Sequence, residues 1–283
     1  MGLHQRLELH GNPVHDPRDL LLPEPAGVAV SLRLVACGAS NLSRGLARLL
    51  AAVSGDPPVV AFVAAGHGRS YGSASRIWMR RLPSITSCGL WRALDREADE
   101  AAVMPTVAVL TDIGNDLLYG FSVEQTAEWV DTCLGRLEAR GARCVLTRLP
   151  LESVAGVGRL RYRALRTCYV PGCTLSLPEL VARAEALDGR LTELASAHKA
   201  AVVEQPGNWY GLDAIHPRRR RLDDLWAAVC RAWGQEPLAA SAGWATWARV
   251  GLAAAEVRML AGSLRLAPQP AVRLPCGGSV SFY

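Results

Sequence analysis

An apolar run passes through a short turn into a helical pattern in residues 32–53, LRLVACGASNLSRGLARLLAAV. The run Leu32–Ala36 predicts a buried strand, and from Leu42 onward leucines recur at the spacing of one helix face. A buried strand that turns sharply into a helix presents the turn at the carboxyl edge of a sheet, where open α/β folds bind ligands. The stretch therefore predicts an α/β fold with a ligand site at the turn that carries Ser40.

The turn itself allows two interpretations. Gly38 lets the chain turn tightly, and Ser40 lies beside the free N–H groups and the positive dipole end of the helix. Ser40 or Asn41 could serve only as the helix cap, a role that suits both residue types. On this stretch alone the cap is the favoured interpretation, and a reactive role for Ser40 depends on the rest of the chain.

Further apolar runs alternate with helical patterns along the chain. The runs occupy residues 59–65, 107–110, 144–149 and 201–203. Two of the helical patterns begin with capping boxes, Ser122 with Gln125 and Ser176 with Glu179. Strands that alternate with helices form a parallel sheet with helices on both faces. The sequence therefore predicts an α/β fold with a parallel sheet of about five strands.

Three segments give weaker signals. Residues 77–102 are expected to be helical in part and loop-like in part, and Trp244–Leu260 is expected to form one more helix. The arginine-rich residues 150–175 are expected to be irregular. Because they follow the carboxyl end of a strand, they are well placed to shape a substrate mouth.

Length and composition indicate one α/β domain with extensions. The 283 residues are 50% hydrophobic and 20% charged, which is ordinary for a globular protein. Residues 1–27 read as a polar N-terminal extension, residues 28–235 as the domain, and residues 236–283 as a C-terminal appendix. The net charge of +5 is mildly basic and could favour anionic partners. No basic stretch interleaved with aromatic residues indicates nucleic-acid binding, so none is expected.

Cysteine usage and the N-terminus favour a reducing compartment. The eight cysteines contain no CxxC pair and lie mostly in apolar or helical patterns, as expected of reduced thiols. Residues 1–25 have no apolar stretch and do not read as a secretory signal. No uncharged stretch is long enough to span a bilayer, so no transmembrane segment is expected. The expected location is the cytoplasm, and nothing in the sequence indicates an oligomeric state.

Polar groups suited to acyl transfer follow several of the predicted strands. Such chemistry needs a nucleophile, a base, a group that orients the base, and donors for the tetrahedral oxyanion. Ser40 is the candidate nucleophile, and the spacing of Asp213 and His216 lets the carboxylate hold one imidazole nitrogen while the other faces a serine. The backbone N–H groups of Ser40 and Gly68 and the side-chain amide of Asn115 could form an oxyanion hole.

The glycine-rich loop at residues 66–72, GHGRSYG, could aim backbone N–H groups at an anion. It lacks the residue order of a P-loop and the glycine spacing of a dinucleotide fold, which favours a single oxyanion over a nucleotide. Gly66 and Gly68 both remain candidates for the donor, with Gly68 preferred. His67 borders this loop and could touch substrate.

Four blocks of the chain, taken together, resemble those of the SGNH, or GDSL-type, hydrolases. They are Gly38-Ala39-Ser40-Asn41-Leu42, Gly68-Arg69-Ser70, Gly114-Asn115-Asp116 and Asp213-Ala214-Ile215-His216-Pro217. Their order, and the strand before each, also agree with that family, and the resemblance covers roughly residues 30–233. Ala39 departs from the pattern because the family usually has an aspartate before the serine. The residue before the serine does not attack the substrate, so the replacement weakens the match to the family's sequence pattern more than it affects the mechanism.

The resemblance implies a flavodoxin-like, three-layer α/β/α sandwich. It also implies hydrolysis of a carboxylester, thioester or acetylated sugar through an acyl-enzyme, with no metal and no organic cofactor. Ser40 would be the nucleophile, His216 the base and Asp213 its orienting group, with an oxyanion hole from Ser40, Gly68 and Asn115. The expected partner is a small-molecule acyl ester. Possible substrate contacts are Asn41, His67 and Arg69.

Other interpretations stay open at this point. The same scaffold could bind an acylated or anionic ligand without turning it over, or could be an acyltransferase that passes the acyl group to another hydroxyl. Asp112 and Asp116 flank Asn115 and are expected to fix its loop. The arginine run 218–221 reads as a solvated helix start, and would favour an anionic substrate if it faced the mouth.

Overall fold

The computed structural model describes residues 31–98, 104–238, 243–274 and 277–283. The N-terminal extension predicted at residues 1–27 lies outside the described residues. The strands are β1 Leu32–Cys37, β2 Val59–Ala64, β3 Ser75–Ile77, β4 Arg80–Leu82, β5 Thr106–Leu110, β6 Arg143–Thr147, β7 Ala201–Val203, β8 Val257–Leu260, β9 Ser263–Leu266, β10 Val272–Arg273 and β11 Ser279–Phe282. The α-helices are α1 Ser40–Val53, α2 Leu90–Ala98, α3 Asn115–Leu118, α4 Val123–Glu138, α5 Leu151–Ala155, α6 Arg159–Tyr169, α7 Leu177–Ala197, α8 Leu222–Ala232 and α9 Trp244–Leu252.

The main sheet is built around β1. Strands β2, β1, β5, β6 and β7 lie side by side in that order, and every neighbouring pair is parallel. This order places the first strand second from one side, as in flavodoxin-like sheets. The predicted α/β class and flavodoxin-like arrangement are therefore confirmed.

Helices cover both faces of this sheet and give the three layers. Helices α1, α8 and α9 share one apolar core with the sheet, and α2, α4 and α7 share the other. Successive residues of β1 enter opposite cores: Leu34 lies in the first and Val35 in the second. Strands buried on both faces read as continuous apolar runs, which is why β1 and β2 lack polar alternation.

Two more strands than predicted join the sheet. Strand β11 pairs in parallel with β2, and β10 pairs antiparallel with β11, so the sheet has seven strands. Part of the segment 236–283 is thus built into the sheet, where it covers the edge that β2 would otherwise expose. β10 and β11 are only two and four residues long, which is too short for a strand period to show in the sequence.

A second, four-stranded sheet has the order β3-β4-β8-β9 with antiparallel pairs. The helix predicted over Trp244–Leu260 was wrong in its second half, because α9 ends at Leu252 and Val257–Leu260 forms β8. β8 pairs on one side with β9, its partner in a local hairpin, and on the other side with β4, which is distant in sequence. The start of residues 77–102 likewise belongs to a β-hairpin.

Residues 150–175 are more helical than predicted. They contain α5 and α6, which Gly156 and Gly158 separate. Each helix is too short to show a sustained apolar period, which explains the expectation of irregular structure. The two predicted capping boxes are both confirmed, at the starts of α4 and α7. Among the described residues, no helix combines the length and apolar character that crossing a bilayer requires.

Candidate active site

Three predicted residues from distant parts of the chain meet at the carboxyl edge of the main sheet. Nε2 of His216 lies 2.8 Å from Oγ of Ser40, and Nδ1 of His216 lies 2.6 Å from Oδ2 of Asp213. Ser40 is the first residue of α1, directly after β1, whereas Asp213 and His216 lie on the loop that follows β7. The structure thus joins a hydroxyl, an imidazole and a carboxylate in one hydrogen-bonded chain.

The loop fixes the carboxylate of Asp213 from several directions. Its Oδ1 accepts hydrogen bonds from the backbone N–H groups of Ile215 (3.1 Å) and His216 (3.2 Å). Burial alone would raise the pKa of Asp213, but the hydrogen bond and charge of His216 outweigh it and lower the pKa. The carboxylate therefore stays ionised while it holds the imidazole.

Tyr169, at the end of α6, also contacts this pair, and the sequence analysis missed it. Its hydroxyl donates to Oδ2 of Asp213 at 3.1 Å, and its ring meets the His216 ring edge-on with centroids 5.6 Å apart. The only sequence signal was an aromatic residue inside the arginine-rich segment after β6. Nothing in that segment indicates which aromatic residue reaches the imidazole.

The cap of α1 comes from a different loop. Oδ2 of Asp112, just after β5, accepts from the backbone N–H groups of Ala39 (2.7 Å), Asn41 (3.0 Å) and Leu42 (3.2 Å). Neither Ser40 nor Asn41 caps the helix with its side chain. Ala39 has no carboxylate of its own, and Asp112 supplies one to this helix start. Burial raises the pKa of Asp112, and these hydrogen bonds act in the opposite direction.

This cap leaves one backbone amide of the turn unused. The N–H groups on both sides of Ser40 point at Asp112, but the N–H of Ser40 has no acceptor among the described residues. Ser43 does not compete for the role of Ser40, because its hydroxyl donates to the carbonyl oxygen of Ala39 at 2.7 Å. The free amide and the hydroxyl of Ser40 therefore share one end of the helix.

Gly68 and Asn115 lie close to the ends of the two strands that neighbour β1, on either side of the turn that carries Ser40. β2 and β5 both pair with β1, so the loops after them lie on either side of Ser40. Gly68 has φ +66°, and a Cβ there would lie 2.6 Å from Cδ1 of Ile77. Within the described parts of the chain, the Gly68 N–H and the Asn115 side chain make no hydrogen bond. Both donors are thus available to a bound group.

Gly66, the other candidate donor, lies close to the end of the Leu82 side chain. A Cβ at this position would lie 2.5 Å from Cδ1 of Leu82. Unlike Gly66, Gly68 has a left-handed backbone and lines a cleft of about 320 Å³. The cleft lies between the β3–β4 hairpin and the end of α6, with Ile77, Tyr119, Phe121 and Tyr169 in its walls.

The three predicted substrate contacts occupy different environments. The His67 side chain is exposed, and desolvation on the side that faces the protein, together with the nearby charges of Arg80 and His216, lowers its pKa. Asn41 is buried, and its Nδ2 donates to the carbonyl oxygen of Ile215 at 3.0 Å, which ties α1 to the loop of the histidine. Arg69 is only 1% exposed and donates to the carbonyl oxygens of Ala65 and Tyr283. Of these three side chains that of His67 alone is exposed, whereas those of Asn41 and Arg69 are buried and bonded to backbone carbonyl oxygens.

Asp116 connects the glycine-rich loop to α3. It is fully buried; its Oδ2 accepts from the N–H of Tyr71 at 2.9 Å, and its Oδ1 has no partner in the described chain. Burial raises the pKa of Asp116 from 3.8 to about 6. The folded state therefore binds this proton more tightly than the unfolded state does.

We expect Asp116→Asn to gain stability relative to the wild type as pH rises from 4 to 7. A raised pKa in the folded state means that the wild-type carboxyl loses stability as it ionises through this window. The free energy of unfolding of the variant, minus that of the wild type, should increase by about 2–3 kcal/mol between these pH values. Urea unfolding at pH 4, 5.5 and 7 measures the difference, and parallel pH profiles would contradict the assignment.

Comparisons with known proteins give structural similarity only. No protein-family model and no curated protein sequence matches the chain. Solved structures that are similar include the psychrotrophic esterase EstA from Pseudoalteromonas sp., with 14% identity over 71% of this chain and 97% of that one, at a TM-score of 0.43. TesA matches with 18% identity over 71% and 97% at 0.42, and AlinE4, an SGNH-hydrolase family esterase, with 17% over 72% and 95% at 0.38.

The solved structures that this chain is similar to thus include esterases of the SGNH, or GDSL, family, as the sequence blocks predict. At identities below 20% and TM-scores below 0.5, these similarities carry no inference about the chemistry of the chain. Its fold is defined by its own strand order, and its site by its own side chains.

Proposed function

We propose that this chain is a serine hydrolase of the SGNH type that cleaves an ester or a related acyl bond through an acyl-enzyme. The observation that carries the proposal is the hydrogen-bonded chain from Asp213 through His216 to Ser40, with contacts of 2.6 and 2.8 Å. A hydroxyl bonded to an imidazole whose other nitrogen is held by a carboxylate is the arrangement that activates a serine for attack.

The reaction then follows from the positions of these groups. As Oγ of Ser40 attacks the substrate carbonyl carbon, Nε2 of His216 takes its proton. The C–O bond to the leaving alcohol breaks, and the imidazolium returns that proton to the departing oxygen. Water attacks the acyl-enzyme in the same way, with His216 as base, and releases the carboxylic acid and the free Ser40 hydroxyl. Asp213 remains ionised throughout and stabilises the imidazolium.

The negative charge that develops on the carbonyl oxygen needs donors that are not already bonded. The N–H groups of Ser40 and Gly68 and the side-chain amide of Asn115 meet this condition among the described residues. They come from three adjacent strand ends, so they can surround one oxygen. Donors fixed before the reaction begins stabilise the transition state without a further cost of reorganisation.

We expect Asn115→Ala to lower kcat about a hundred- to a thousandfold with little change in KM, the usual effect of losing one oxyanion donor. Folding should be unaffected because the side chain makes no hydrogen bond within the described residues. Steady-state kinetics on a p-nitrophenyl ester and thermal unfolding of the same preparation measure the two effects. A kcat within threefold of the wild type would remove Asn115 from the oxyanion hole.

The proposed function is tested by a chain-length series of p-nitrophenyl esters run beside acetylated sugars. We expect wild-type enzyme to hydrolyse at least one class, with a preference set by the fit to the 320 Å³ cleft. The hydrophobic and aromatic wall of Ile77, Tyr119 and Phe121 favours a substrate with an apolar group at this position. Absence of hydrolysis in both classes would favour a non-catalytic binding module instead.

A further inference from the structure

One surface segment lines the cleft beside Gly68, and a second includes the Asp213–His216 pair of the site. The hairpin lip, residues 76–81, packs on the glycine-rich loop: Ile77 covers Gly68, and a guanidinium nitrogen of Arg80 donates to the carbonyl oxygen of His67 at 3.3 Å. The helix lip comprises residues 159–163 of α6 and residues 211–218 of the loop that carries the triad histidine. Arg161 joins its two parts by donating to the carbonyl oxygen of Gly211 at 3.3 Å.

Large apolar side chains project from both lips into solvent. Trp78 and Met79 at the tip of the hairpin lip are 90% and 65% exposed, and Leu160 and Leu212 on the helix lip are both 83% exposed. Trp78 also has φ 55°, a backbone conformation that tryptophan rarely adopts and that glycine or asparagine would occupy more easily. Because the indole is so exposed, packing does not account for the strained turn. Backbone strain of this kind often marks a functional position.

Both lips also carry unbalanced positive charge. Residues 66–82, 156–175 and 205–221, which contain the lips, have four arginines each, and Asp213 of the triad is their one acidic residue. Of these arginines, Arg69 is buried and Arg221 pairs with Asp224, which leaves ten. The chain as a whole is nearly balanced, with 31 basic and 26 acidic residues. The excess is therefore concentrated around the mouth.

The positions of individual arginines agree with this concentration. Exposed Arg76 and Arg81 lie directly opposite each other on β3 and β4, a like-charge pairing that destabilises a sheet. Neither forms an ion pair within the described residues. Arg218 on the helix lip packs against Gly211 beside Leu212. An anionic surface in front of the mouth would relieve the repulsion of these charges.

We propose that the two lips dock the mouth of the site onto an anionic lipid surface. Trp78, Met79, Leu160 and Leu212 would enter the boundary between headgroups and acyl chains, while the neighbouring arginines contact lipid phosphates. Tryptophan is favoured at this boundary, and arginine can keep its charge in the headgroup layer while its stem follows apolar surface. Under the proposed function, a lipid-borne acyl ester would then face Ser40 without crossing bulk water.

A lipid surface fits this arrangement better than nucleic acid does. Phosphate-backbone binding uses arginines but gives no role to leucine and methionine side chains that project beyond them. Peripheral attachment to lipid combines buried apolar side chains with attraction to anionic headgroups, and both components are present on each lip.

The test is sedimentation of the full chain with large unilamellar vesicles of phosphatidylcholine, alone or with 30% phosphatidylglycerol. We expect binding to the anionic vesicles to be about tenfold stronger, and to weaken with added salt. Trp78→Ser and Leu212→Ser should each weaken it about tenfold. Trp244→Ser serves as the matched control: Trp244 is 84% exposed on α9, outside both lips, and its removal should leave binding unchanged.

Binding and catalysis are measured separately in this design. Ser40→Ala should bind vesicles like the wild type, so vesicle binding does not depend on the proposed function. Trp78→Ser should retain wild-type hydrolysis of a water-soluble acetate ester, which shows that it is folded. The proposal is overturned if the wild type fails to bind anionic vesicles, if Trp244→Ser weakens binding as much as Trp78→Ser, or if DNA competes for the same residues more tightly than vesicles do.

Discussion

Ser40→Ala should abolish ester hydrolysis and leave the fold intact. The hydroxyl is the atom that would bond to the acyl group, so its removal should lower kcat by about ten-thousandfold or more. Within the described chain, Oγ of Ser40 has one hydrogen-bond partner, Nε2 of His216. The free energy of unfolding should therefore change by less than about 1 kcal/mol. Steady-state kinetics and urea unfolding measure the two quantities.

Ser43→Ala is the matched control for this variant. Ser43 lies one helical turn from the site, and its hydroxyl is committed to the carbonyl oxygen of Ala39. We expect full activity with a small loss of stability. An active Ser40→Ala variant, or a Ser43→Ala variant that alone loses activity, would show that the wrong serine has been assigned.

Asp112→Ala should produce the largest loss of stability at the site. It would leave the buried N–H groups of Ala39, Asn41 and Leu42 without their acceptor. Each unsatisfied amide costs about 1–3 kcal/mol, so the loss should be about 3 kcal/mol or more even after local relaxation. kcat should also fall, because the same carboxylate fixes the turn that holds Ser40.

Asp112→Asn separates the loss of the acceptor from the loss of charge. Its side-chain oxygen can still accept from the helix, and asparagine tolerates the φ of 61° at this position. We expect it to retain most of the stability that Asp112→Ala loses, as measured by urea unfolding at pH 7. Equal stability of Asp112→Ala and the wild type would mean that the amides find another acceptor.

Local signals in the sequence accounted for the central fold and for three residues of the candidate site. Ser40 follows a mostly apolar run, and the short spacing between Asp213 and His216 already places a carboxylate beside an imidazole. Because parallel strands end at one edge of a sheet, the loops after β1 and β7 could be expected to meet there. The contacts among these three side chains agree with that expectation.

Features that depend on distant pairing could not be predicted in the same way. The second sheet joins β8 to β4, which is distant in sequence, although the β8–β9 hairpin itself is local. The capping role of Asp112 depends on adjacent strand ends, and the contact of Tyr169 with Asp213 depends on how α6 returns over the loop. In each case the two partners are more than 40 residues apart, so no local pattern reports the contact.

Labelling by a fluorophosphonate, followed by peptide mass spectrometry, tests most directly whether Ser40 is an activated nucleophile. The activated hydroxyl proposed here should displace fluoride and form one phosphonyl adduct on the peptide that contains Ser40. Ser40→Ala and His216→Ala should remain unlabelled under the same conditions, while Ser43→Ala should be labelled like the wild type. A wild-type chain that takes no label, or takes it on another residue, would contradict the assignment of Ser40 as an activated nucleophile.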